Sequence, residues 1–265
     1  DDESRFGISY ETNICPWNED HELLMLTVGT KDVDLEYVGN NFVFLIDSSG
    51  SMNSYDKGVM AIDSFKLLAE TLTEDDRVSI VTYSGSSATI LDSCPGNKYS
   101  KICKALDSIK FGGGTNGSGG ITAAYELAAE NFMEGGNNRV IIASDGDMNL
   151  GITSQSGLTE LITEQKETGV FLTVLGYGSG NYSDANMESI ADCGNGNYYY
   201  IDCLEEAERV LVDKLKQTTV TVAKDVKIQL EFNPARVSGY RLIGYENRML
   251  EAKDFNDDKK DAGEI

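Results

Sequence analysis

Three oxygen-bearing side chains alternate in the pentapeptide Asp47-Ser48-Ser49-Gly50-Ser51, with Asp47, Ser49 and Ser51 at positions i, i+2 and i+4. An extended turn aims all three oxygens at one point. Hard oxygens with few formal charges suit a small divalent cation such as Mg2+, which retains several waters in its shell. The same residues also suit an Asx or Ser turn that caps a following helix. Two later segments favour the cation. A glycine-rich stretch, 112–120 (GGGTNGSGG), carries Thr115, and the apolar run 139–143 (RVIIA) ends in Ser144-Asp145-Gly146-Asp147. Gly112, Gly113 and Gly114 free the backbone to bring Thr115 close.

The elements that must position these groups follow from hydrophobic patterning. The run 41–46 (NFVFLI) directly precedes the pentapeptide. Short apolar runs rich in Val, Ile and Phe read as strands buried on both faces of a parallel sheet. Further strands are predicted at 77–83, 140–143, 170–177 and 198–202, with a short edge strand at 88–91. Helical spacing is predicted over 58–72, 102–109, 121–132, 185–192 and 204–217. Repeated β-then-α order implies an α/β fold, a doubly wound and mostly parallel sheet with helices on both faces. Such sheets bind ligands at the carboxyl ends of their strands. Asp47, Thr115 and Asp145 therefore converge on one edge. The ends differ: 23–28, 226–232 and 240–245 are strand candidates with no helix between the last two, so they form a small β-sheet domain assembled from both chain ends.

An Asp-x-Ser-x-Ser turn, a Thr in a Gly-rich loop and a strand-end Asp, in that order, resemble the metal-ion-dependent adhesion site of von Willebrand factor A (VWA) domains. The five positions fall on Asp47, Ser49, Ser51, Thr115 and Asp145. The resemblance implies that Ser49 and Ser51 contact the metal directly, that Asp47 and Asp145 act mostly through water or serine, and that Thr115 is the adjustable member. It implies Mg2+, with Ca2+ or Mn2+ as alternatives, and a partner protein that completes the shell with an Asp or Glu. Asp147 is a candidate for indirect support of the site, or equally a turn residue. Further motifs are Pro16-Trp17-Asn18, Ser144-Asp145-Gly146-Asp147, Gly194-Asn195-Gly196-Asn197 and Asp261-Ala262-Gly263-Glu264-Ile265. They make nearly the whole chain similar to bacterial VWA proteins named calcium-activated chloride channel homologues. That family is mostly exported, often as lipoproteins, which implies an extracytoplasmic or cell-surface location after removal of a leader.

The domain organisation then reads as 1–38 and 220–251 for the two parts of the β-domain, 39–219 for the VWA domain, and 252–265 for a charged tail of a domain that continues further. The helix 204–217 runs into the β-rich 218–222 without a Gly or Pro linker, so a shift of that helix would pull on the β-domain. A rigid junction that only sets orientation is the alternative.

Composition narrows the function classes. The 265 residues carry 22 Lys+Arg against 44 Asp+Glu, a net charge of −22, which argues against nucleic acid or an anionic membrane as the main partner. No run approaches the roughly 18 apolar residues of a membrane-spanning helix. His21 is the one histidine, so a Ser-His-Asp triad is excluded. The glycine stretch lacks the Gly-Lys-Ser/Thr ending of a P-loop. An enzyme is not expected. The best catalytic rival is Mg2+-dependent phosphoryl transfer with Asp47 as nucleophile, but such enzymes need a second acid two residues on, where Ser49 stands. A scaffold with a vestigial metal site is a further alternative. Among five cysteines, Cys94 and Cys103 bracket a Pro-Gly turn whose ends can meet, Cys193 and Cys203 flank a strand that would hold them apart, and Cys15 has no obvious mate.

Overall fold

The computed structural model of the chain describes residues 6–30, 38–113, 118–146, 160, 162–163, 168–178, 184–194, 196–215, 226–244, 249–250 and 255. The chain divides into two compact units, one of residues 37–220 and one of residues 1–36 with 221–265.

The larger unit is built on a six-stranded sheet. Its strands are β3 (Asn40–Asp47), β4 (Arg77–Tyr83), β5 (Ser87–Pro95), β6 (Asn137–Ser144), β7 (Phe171–Tyr177) and β8 (Asn197–Ile201), in the order β5-β4-β3-β6-β7-β8. Only β5 runs antiparallel to its neighbour; β3 pairs in parallel with both β4 and β6. All of β3 is buried, which explains its unbroken apolar run. Its side chains alternate between two cores. Phe42, Phe44 and Ile46 join the core that includes helix α1 (Met60–Glu70) and helix α2 (Tyr99–Asp107). Val43 and Leu45 join the opposite core, with helix α3 (Ser118–Glu130) and helix α4 (Asp184–Cys193). Phe44 stacks on Phe65 of α1 with ring centroids 4.2 Å apart. Helix α5 (Leu204–Glu208) continues as a π-type turn, Arg209–Lys214, on the first face. Residues 216–217 of the expected helix 204–217 and the junction after it lie outside the described residues.

Chain order reverses between β3 and β6, because the chain goes from β3 to β4 and β5 and then crosses to β6 on the other side. That reversal opens a crevice at the carboxyl ends of β3 and β6.

Several element limits differ from expectation. Strand β5 extends to Pro95 rather than 91, with register shifts against β4, because an edge strand tolerates the Asp92, Ser93 and Pro95 that read as turn residues. Helix α1 begins only at Met60, after a 3-10 turn (Gly50–Met52) and a π-type turn (Tyr55–Val59).

In the smaller unit, β1 (Phe6–Ile14) pairs antiparallel with β2 (Glu22–Thr30). Strand β1 was not expected, since Gly7, Ser9, Thr12 and Asn13 mask its Ile8-Tyr10-Ile14 alternation. The strands expected at 226–232 and 240–245 are a correction: residues 226–244 form no strand. Ile228, Leu230, Leu242 and Ile243 are all exposed there, and an apolar run specifies a strand only when a neighbouring layer covers it and a ladder pairs it.

All five cysteines carry free thiols, so Cys94 and Cys103 form no disulfide. No helix among the described residues is long and apolar enough to cross a membrane.

Candidate metal centre

Asp47 is the last residue of β3 and is fully buried, opposite Tyr83 of β4. Its Oδ1 accepts the Ser49 backbone N–H at 2.8 Å, so its carboxylate shapes the turn that carries the serines. The turn is also fixed to β4, because Ser48 donates its N–H and its hydroxyl to the Tyr83 carbonyl, at 2.8 and 3.1 Å. Ser49 is buried and Ser51 exposed, with their hydroxyl oxygens 3.0 Å apart. Asp145, just past β6, is only 3% exposed. Between the two strand ends, the Ser144 hydroxyl donates to Asp47 Oδ2 at 3.4 Å.

The glycine-rich loop is joined to the same turn. Gly112 donates to the Ser48 carbonyl at 2.8 Å, and Gly50 donates to the Gly113 carbonyl at 3.3 Å. Gly113 has φ +91°, a conformation that favours glycine. Thr115 and Asp147 lie outside the described residues. Of the five expected site residues, the structure thus brings Asp47, Ser49, Ser51 and Asp145 to one edge, with the loop that leads to Thr115 bonded beside them.

The electrostatics of this edge are set by burial and by two neighbouring carboxylates. Burial raises the Asp47 carboxyl above its ordinary value, the bonds from Ser49 oppose that rise, and the negative charge of Asp145 adds to it. Burial and the Asp47 charge likewise push the Tyr83 phenol well up. The Tyr83 hydroxyl is buried without a hydrogen-bond partner of acceptable geometry, although Ser144 and Asp47 are close enough to act on its ionisation. Two mutually repelling carboxylates, adjacent hydroxyls and a buried phenol make a donor set that fits a hard, oxygen-seeking cation. Among the described residues no three His, Cys, Asp or Glu cluster as metal ligands.

Sequence reasoning missed Tyr83, Ser144 and Lys57. Lys57 donates from Nζ to Asp145 Oδ2 at 2.8 Å. Its signal was available: it is the only Lys or Arg between Lys31 and Lys66, close behind the acidic motif.

A doubly wound sheet with an Asp-Ser-Ser turn and a second Asp at its switch point is the arrangement of a von Willebrand factor A fold. Residues 41–214 match the von Willebrand factor type A domain, and the chain belongs to that family. Residues 217–265 match the family described as uncharacterized protein YfbK, C-terminal. The chain is 46% identical over 261 residues to uncharacterized protein YfbK of Escherichia coli, covering 98% of this chain and 45% of that protein. It therefore spans less than half the length of this relative. Among solved structures it is similar to BatB of Bacteroides thetaiotaomicron, with a TM-score of 0.55, 20% identity and coverage of 67% of this chain and 98% of that one. It is also similar to the vWF domain of the type V pili tip protein Mfa5 of Porphyromonas gingivalis, with a TM-score of 0.57, 11% identity and coverage of 70% and 98%. At these identities the structural likeness concerns the fold.

Proposed function

We propose that this protein is a metal-dependent interaction module that binds an acidic side chain of a partner protein and performs no catalysis. The observation that carries this reading is the convergence of buried Asp47 and Asp145 with the Ser49–Ser51 hydroxyl pair at the switch point of the sheet. A divalent cation, Mg2+ in this reading, would be held by Asp47, Ser49, Ser51, Thr115 and Asp145, and it would supply a position that a carboxylate oxygen can fill. The neutral hydroxyls leave such an ion only partly neutralised, which keeps it attractive to an incoming anion. Asp47 holds the serine turn in shape, and the Ser48 bonds to Tyr83 keep that turn against the sheet. The absence of any histidine but His21 supports a binding rather than a catalytic role. A surface or extracytoplasmic setting belongs to the same proposal, supported by the fold shared with a pilus tip protein.

The test is retention of envelope proteins by the immobilised chain in Mg2+ and in chelator. Partners should be held in Mg2+, released by chelator, and not held by Asp47→Ala. Equal retention under all conditions would overturn the mechanism. Phosphatase turnover abolished by Asp47→Asn would favour the phosphoryl-transfer alternative.

A further inference from the structure

The protein brings a cation of its own to the candidate metal site. Lys57 lies in the π-type turn Tyr55–Val59, between the serine turn and α1. Its Nζ stands 2.8 Å from Asp145 Oδ2; the lysine side chain is 23% exposed and the aspartate 3%. The lysine stem is guided along the backbone that follows β7. A Cβ on Gly178 would lie 2.6 Å from Lys57 Cε and 2.7 Å from its Cγ, so only glycine leaves room for this path. The turn, the strand-end glycine and the carboxylate thus aim the ammonium from three separate segments.

We propose that Lys57 is a built-in counter-ion that competes with the divalent cation for Asp145 and so sets how tightly the site binds metal. This rests on the reading of the site as a metal centre. A cation drawn to Asp145 meets an ammonium already bonded to one of its oxygens, and two positive centres a few ångströms apart repel. Lys57 is the partner that yields. Its side chain already reaches solvent, whereas Asp145 is confined. In the absence of metal the ammonium offsets a buried carboxylate that would otherwise stand against Asp47, so Lys57 also stabilises the ion-free fold. Metal binding exchanges one compensating cation for another, which lowers affinity while keeping the empty site intact.

The test is calorimetric titration of the chelator-treated full chain with Mg2+ and Mn2+, for the parent, Lys57→Met, Lys57→Gln and Lys57→Arg. The Met and Gln variants should bind metal about tenfold more tightly, within the usual range of coupling effects, and Arg should stay near the parent. Lys57→Met should melt below the parent in chelator and gain more in Tm on adding Mg2+. Lys57→Gln keeps a hydrogen-bond donor toward Asp145, so it tests the same point if Met does not fold. Equal affinities in parent and Gln, or weaker binding in Gln, overturn the competition and leave the metal reading standing. Binding in Gln but not in the parent supports the competition in its strongest form. Binding in none of the four removes the metal reading and the competition with it.

Discussion

Asp47 carries more of this account than any other residue, because it both shapes the serine turn and faces a second carboxylate. Its ionisation makes a specific statement about pH. A carboxyl whose folded value is raised above the ordinary 3.8 binds more protons in the native than in the unfolded state through the intervening window. Without divalent cation, stability should therefore fall as pH rises from about 4 through the raised value. Asp47→Asn should flatten that part of the profile in chelator, as read by thermal melts across pH. A profile equally steep in both proteins would show that Asp47 is not the titrating group. Ser49→Ala should weaken Mg2+ affinity and leave the fold nearly untouched, because it removes a hydroxyl while Asp47 still accepts the residue 49 backbone N–H. Matched circular dichroism with a weaker isotherm would bear this out. At this scale the sequence was informative about the convergence of Asp47, Ser49, Ser51 and Asp145 and silent about Lys57. Alternation and strand ends reveal which oxygens converge, but not that a lysine from the next turn folds back over them.

Elements position the site through burial on both faces of the sheet. Phe65 of α1 stacks on Phe44, two residues before Ile46, so α1 and β3 are locked together just behind the serine turn. Phe65→Ala should cost about 3–5 kcal/mol in denaturant unfolding. A loss below about 1 kcal/mol would mean that the core closes around the gap far better than such cores usually do. Gly178→Ala belongs to the same scale. It combines φ +88° with a clash against the Lys57 stem, and it should lower stability by about 1 kcal/mol or more. The buried strands β3, β4, β6 and β7 were legible because their apolar runs are continuous. The limits of β4 matched and those of β7 lay within one residue, but the early start of β6, the bulged β5 and the two irregular turns before α1 were not legible, because tertiary packing rather than local propensity decides where pairing stops. Strand β1 and residues 226–244 mark the same limit from opposite sides: a polar-looking segment pairs, and an apolar one does not.

The whole molecule consists of two compact units with unequal cores. Both large hydrophobic clusters lie between Phe42 and Leu215, whereas Cys15 is the one buried apolar residue among the described residues of the terminal unit. A fragment of residues 37–220 should therefore fold cooperatively and keep the metal isotherm of the full chain. A fragment that does not fold, or that folds and loses the isotherm, would show that the terminal unit takes part in building the site. The net charge of −22 draws divalent cations to the surface without specificity, so titrations need an ionic strength near 0.15 M, where the screening length is about 8 Å. Under those conditions the most direct measurement is calorimetry of the chelator-treated parent and Asp47→Ala with Mg2+. The expected result is one saturable site in the parent that is lost in Asp47→Ala while the mutant stays folded. Identical isotherms in the two proteins would contradict the account.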